Sequence, residues 1–210
     1  MASRGAGMNE MRYQILAAPL LALVLGGCVS SSGGNPGAFL LARGLSHPTP
    51  KAATYCSNHG CQKRTRISLS GKTWARIAAK FKRRHSGASE RRAIASAMAI
   101  YERAGGKASG TSGDRARTQF DSANQLDCID EAANMTSLLV MLKSAGLLRH
   151  NIPVAPSSRS VSNGNRWPHY AGTVKDKRTG KLYVIDSWFR SNAKPAVVVP
   201  YKKWKTGWSA

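Results

Sequence analysis

The chain is expected to fold as a small α+β domain, helices first and an antiparallel sheet after. Three observations predict this. Apolar residues recur at helical spacing in two segments before residue 104. A third run, opening at Cys128, is apolar at almost every later position, as in a helix buried all round. Past Pro156 the pattern changes to short β-branched runs separated by a turn.

The N-terminus reads as an address. Arg4 and Arg12 precede an apolar run over residues 15–25, too short to span a bilayer comfortably and suited to the core of a secretory signal. Leu25-Gly26-Gly27-Cys28 follows and resembles the lipobox of bacterial lipoproteins. That resemblance implies cleavage before Cys28 and a lipid on its sulfur, so that the mature chain is anchored in the cell envelope and faces the periplasm. Residues 1–27 are then a lipoprotein signal peptide. Residues 28–53, rich in Ser, Gly, Pro and Ala, are expected to be a flexible tether without a core. Residues 54–210 make a single domain. No second hydrophobic run is long enough to cross a membrane.

Four cysteines less Cys28 leave Cys56, Cys61 and Cys128. Outside the cytoplasm Cys56 and Cys61 are near enough to close a disulfide around Ser57-Asn58-His59-Gly60. A zinc site of Cys56, His59 and Cys61 is the weaker alternative, because no fourth ligand is in view. Cys128 is left over. A spare thiol in an exported chain is either reactive or paired between molecules.

The full sequence carries a net charge of +22. Removing residues 1–27 takes away Arg4, Arg12 and Glu10 and leaves 30 basic against 9 acidic residues, or +21. Such a surface seeks anions, here an anionic membrane or an acidic envelope polymer. No base-reading motif is present, so nucleic acid is not an expected partner.

Ser70 is placed to cap a basic helix with Trp74, Ile77, Ala78 and Phe81 on one face. A second helix is expected over residues 89–103, with Ile94, Ala97, Met98 and Tyr101 inward and Gly105-Gly106 as its stop. Residues 105–123 read as a loop. The third helix starts at Asp127 or Cys128 and stops at Gly146, with Ala132, Met135, Leu138, Leu139 and Leu142 toward the core. Strands are expected over residues 170–174, 181–185 and 196–199, the first two joined by a turn at 176–180. Trp188, Trp204 and Trp208 are expected in the core or on a cleft wall.

Chemistry concentrates on three residues. If Lys175 pairs with Gly180, paired positions sum to 355 and His169 stands opposite Asp186 on one sheet face. A slip of one residue would separate them. Cys128 at a helix N-terminus would be the nucleophile, His169 its base, and Asp186 the group that orients the imidazole. Asp127 and Asp130 fit a cap and a first-turn charge. The Cys128 amide and the side chain of Gln125 (or Asn124) are the candidate oxyanion donors.

Asp127-Cys128 at a helix start, Gly146 ending that helix, His169 beginning a strand and Asp186 ending the next resemble the transglutaminase-like branch of the papain-like superfamily. The likeness covers residues 120–190. It implies a central Cys-bearing helix packed on a small antiparallel sheet, and a Cys-His-Asp triad for amide or peptide hydrolysis or acyl transfer. The family often has aromatic residues after the histidine, whereas here Tyr170 is followed by Ala171 and Gly172. It implies no obligatory cofactor, although some bacterial relatives bind calcium, for which Asp127, Asp130 and Glu131 are the available carboxylates. Two alternatives stand beside it. Peptidoglycan stem-peptide endopeptidases also open a helix with Asp-Cys, but usually continue Ser-Gly where this chain has Ile129-Asp130. A catalytically inactive papain-like binding lipoprotein would keep the fold without the reaction.

Overall fold

In the computed structural model, residues 1–2, 33–118, 124–160 and 168–210 are described. The apolar run at 15–25 and Cys28 lie outside them. The described chain is α+β, with helices α1 (Pro36–Leu41), α2 (Gly71–Ala79), α3 (Gly87–Ser109), α4 (Cys128–Ser144) and α5 (Tyr201–Lys205). Strands β1 (Ala53–Ser57) and β2 (Lys63–Ile67) form an antiparallel hairpin, and β3 (Asn151–Arg159), β4 (His169–Asp176), β5 (Leu182–Asp186) and β6 (Val197–Pro200) form an antiparallel sheet in that order. No helix among the described residues is long and apolar enough to cross a membrane.

α4 is the central element. It packs against β3, β4 and β5 on one side and against β1 and α3 on others. Met135, Leu138, Leu139 and Leu142 are fully buried, each worth about 1.5–3 kcal/mol in water-to-core transfer. α2 has its predicted cap: the Ser70 side chain accepts from the Thr73 amide, and Ile77 and Phe81 are buried.

Three sequence expectations need correction. Residues 33–53 are no coreless tether. Asn35 caps α1, Leu40 and Leu45 are buried with Ala133, Val140 and the Cys56–Cys61 bridge, and the Ala155 amide donates to Gly34 O at 2.7 Å. Residues 33–53 therefore belong to the packed domain, which is not confined to 54–210. Gly105 and Gly106 do not end the second helix, which runs from Gly87 to Ser109 and stops at left-handed Gly110. Gly105 serves close packing instead: a Cβ there would run into the Tyr55 ring. The last correction is β3, unforeseen because Pro153 and Pro156 argue against a strand. Proline is tolerated at a sheet edge, and a register break between Val154 and Ser157 absorbs Pro156.

Candidate functional site

Cys128 is the first residue of α4, and the start of that helix is held from two directions. Asp127 is the cap: its Oδ1 accepts from the Ile129 amide at 3.0 Å and the Asp130 amide at 2.8 Å, while the Asp130 carboxylate accepts from the Asp127 amide at 3.3 Å. This reciprocal box is the local reason the helix begins there. The remaining carboxylate oxygens reach out to the β1–β2 loop. Asp127 Oδ2 accepts from the Gly60 amide at 2.9 Å, and Asp130 accepts from the His59 and Cys61 amides at 2.9 and 2.6 Å. Those amides converge because Asn58, His59, Gly60 and Cys61 all have φ between +57° and +67°. A left-handed conformation costs roughly 1–2 kcal/mol for each residue with a Cβ, so the loop needs support. It receives it from the Cys56–Cys61 disulfide and from Asn134 of α4, whose side-chain amide bonds both the N–H and the C=O of Cys56. The disulfide takes both thiols and rules out the zinc alternative for Cys56, His59 and Cys61.

The Cys128 thiol is free and half-buried. Its Sγ donates to Pro168 O at 3.8 Å, and the Tyr170 amide points toward the sulfur. The sulfur thus sits against the backbone on both sides of His169. Burial pushes the thiol up to about 12, helped by the negative charges of Asp127 and Asp186; the amides of Tyr170 and of Cys128 itself pull it back only in part. The helix N-terminus, which by itself favours a thiolate, is outweighed here by desolvation. The resting group is a protonated thiol.

His169 and Asp186 meet, though not by the expected register. Gly172 pairs with Ile185 and Lys175 with Leu182, so paired positions sum to 357 rather than 355. The turn is longer than foreseen, with the Asp176 amide bonded to Lys181 O at 2.9 Å. A two-residue shift preserves the face of every side chain, and the two residues touch on the diagonal. His169 Nε2 lies 2.7 Å from Asp186 Oδ2, both side chains buried. Trp204 Nε1 donates to the same oxygen at 2.9 Å. Asp186 thus engages the ring through Nε2.

An aromatic box encloses the imidazole. Ring centroids of Trp188, Phe189 and Trp204 lie 4.7, 5.6 and 5.6 Å from that of His169. Behind it Arg159, paired with His169 across β3 and β4, donates to Trp204 O and Trp208 O at 2.5 and 2.7 Å. Its guanidinium stands 4.7 Å over the Trp204 ring. Trp204 had only a general aromatic role in the sequence and Arg159 none, because the strand and the short helix carrying them were not legible.

Gln125 is placed differently from its expected oxyanion role. Its Oε1 accepts from the Arg115 amide at 2.9 Å and from Thr118 Oγ1 at 3.0 Å, while Nε2 donates to Gly113 O at 3.2 Å. The side chain ties down the loop before α4. The carboxylates considered for calcium are similarly engaged: Asp127 and Asp130 face backbone amides, and Glu131 accepts from Ser187 Oγ. Among the described residues no cluster of three or more side chains is arranged to hold a metal.

Assembled, the site has a half-buried thiol, an imidazole held by a buried carboxylate, and the amides of Cys128 and Tyr170 beside the sulfur. The described contacts join His169 to Asp186 and seat the sulfur on the backbone of Pro168 and Tyr170; no hydrogen bond between the Cys128 sulfur and the His169 ring is among them. No family model, no curated protein and no solved structure matches the chain, so its chemistry rests on these residues.

Proposed function

We propose that this chain is a lipid-anchored envelope cysteine enzyme of the transglutaminase-like, papain-like kind, acting on amide or peptide bonds. The observation that carries the reading is the buried His169–Asp186 contact at 2.7 Å, with the free Cys128 sulfur seated on the Pro168 carbonyl and the Tyr170 amide either side of His169. A buried histidine and aspartate joined by one short contact in an aromatic box would be a costly ornament for a purely structural sheet.

The reaction starts from a neutral thiol. As a substrate amide enters, His169 Nδ1 takes the Cys128 proton and the sulfur attacks the carbonyl carbon. Asp186 and the Trp204 indole fix the ring and favour the resulting imidazolium. The oxyanion meets the Cys128 amide, a first-turn N–H with no intrahelical acceptor. His169 then returns the proton to the leaving amine, and water or a second amine releases the acyl group from sulfur. Cys28, as the lipid attachment site, would hold this chemistry at the membrane.

One observation favours a second reading. A thiol pushed up to about 12 is what an inactive binding lipoprotein would also have. Native-state alkylation by iodoacetamide between pH 6 and 9 separates the two. For the enzyme, the wild type is expected to react at least about ten-fold faster at neutral pH than His169→Ala, with Asp186→Asn between them. Equal, slow alkylation in all three, below that of free cysteine, selects the inactive scaffold. Membrane fractionation of Cys28→Ser tests the anchor, with release into the soluble fraction expected.

A further inference from the structure

Every acidic side chain among the described residues is buried: Glu90, Glu102, Asp114, Asp127, Asp130, Glu131, Asp176 and Asp186. The described surface therefore presents its basic residues with no exposed side-chain carboxylate to oppose them. Long-range attraction for anions follows from that alone. A binding site requires shape as well.

Two depressions provide it. One, of about 540 Å³, is lined by Phe189, Arg190, Lys194 and Pro195; the other, of about 470 Å³, by Arg76, Lys80, Ala193 and Pro195. They share Pro195 and so adjoin. Arg76, Lys80, Arg190 and Lys194 are exposed and enter no ion pair with a described residue. Phe189 connects this cationic groove to the thiol site, since its ring packs edge-on at 5.6 Å from His169. Arg117 adds a guanidinium 5.4 Å from the same ring.

The loop carrying Arg190 and Lys194 is bolted down from below. The Ala193 amide donates to Glu102 at 2.9 Å, the Asn192 amide to Asp114 O at 3.0 Å, and the Arg190 and Lys194 amides close turns onto Ser187 and Ser191. Fixed backbone under exposed cationic side chains is the pre-organised form of an anion site.

We infer that this groove seats carboxylates of the substrate, making the preferred substrate an acidic peptide whose charged side chains flank the amide presented to Cys128. The inference rests on the thiol-enzyme reading for the word substrate, but the binding it describes stands apart from catalysis. The concave shape and four discrete cations favour a chain with spaced charges over a flat lipid surface.

The test uses full-length protein carrying Cys128→Ala, so that binding is read without turnover. Fluorescence anisotropy with a labelled oligoglutamate peptide, at about 0.15 M salt, is expected to show saturable binding that an oligoglutamine peptide lacks. Arg190→Glu with Lys194→Glu should weaken it at least about ten-fold, against less than about three-fold for Lys202→Glu with Lys203→Glu, which changes net charge equally at another exposed site. Equal losses in the two variants would mean a diffuse field and overturn the groove. So would a groove variant that keeps peptide binding but loses sedimentation with phosphatidylglycerol-containing vesicles, since the surface would then dock on membrane. The alkylation rate of Cys128, measured separately on native protein, reports the failure of the enzyme reading by itself.

Discussion

The two ends of α3 bury acids equally deeply and neutralise them in opposite ways. At the N-terminal end Glu90 accepts from the Arg149, His150 and Asn151 amides, and Arg91 donates to Asp176 at 2.9 Å with its guanidinium 3.5 Å over the Tyr183 ring. Arg91 holds the Asp176 carboxyl down at about 2. At the C-terminal end Glu102 lies beside Glu131, Asp114 and Ser187, and no described basic side chain pairs with any of the three acids. Burial, with Asp114 beside it, pushes Glu102 up to about 8; burial raises Asp114 to about 6 and holds Glu131 well above the ordinary carboxylate range. Glu102 Oε1 and the Tyr55 and Tyr101 hydroxyls are buried there without a hydrogen bond among the described residues. One end is neutralised by a cation and amides, the other by keeping protons. The difference teaches that pH acts on this fold through the end nearest the thiol: Glu131 lies one turn along α4 from Cys128, and Ser187 follows Asp186.

The sharpest way to break the comparison is a pH series. A carboxyl at about 8 in the fold and 4.5 when unfolded is protonated in both states below pH 4.5. Between 4.5 and 8 the unfolded chain releases the proton while the fold retains it, so stability falls as pH rises through that window. The loss is on the order of 5 kcal/mol for the full shift. Urea unfolding at pH 5 and pH 8 should show it in wild type, and Glu102→Gln should make it shallower without abolishing it, because Asp114, Asp130 and Glu131 are raised too. An unchanged slope in the variant would place the protons elsewhere.

Arg91→Ala attacks the other end and is expected to cost about 2 kcal/mol at pH 7, because Asp176 loses its cation and keeps only the Arg178 and Thr179 amides. In wild type the stability from this pair is present above the ordinary carboxylate value and is lost as pH falls through about 2. That acid limb should vanish in Arg91→Ala, while the alkaline decline due to Glu102 persists. Loss of both limbs together would show that the two ends are not independent.

A third site, the start of α4, is intermediate: its acids accept from backbone amides, yet burial and the neighbouring Asp127 still push Asp130 up to about 7. Replacing Cys56 and Cys61 by serine opens the loop that supplies those amides. Loop-closure entropy alone makes this worth about 2 kcal/mol. The Asp127 and Asp130 carboxylates lose their aligned donors as well, so Cys128 should alkylate at a different rate in the variant than in wild type. An unaltered rate would leave the loop a role in stability only.

Local chemistry made much of this legible. The capping box of Asp127 and Asp130 lies within four residues of Cys128, so the start of α4 could be read from sequence, as could the Ser70 cap. The common face of His169 and Asp186 was readable too, because a strand repeats every two residues and survives a two-residue error in register. Cysteine arithmetic pointed to the Cys56–Cys61 bridge.

What the tertiary structure alone decided involves partners far apart along the chain. Gly105 looked like a helix stop until the Tyr55 ring packed on it; residues 33–53 looked like a tether until Leu40 and Leu45 found α4 and the disulfide. The thiol shows the same division. Sequence placed Cys128 at a helix N-terminus, which lowers its proton affinity, and folding wrapped it in enough protein to raise it. Capping and strand alternation act over a few residues and leave their mark in sequence order, whereas burial sums over every neighbour and has no local signature.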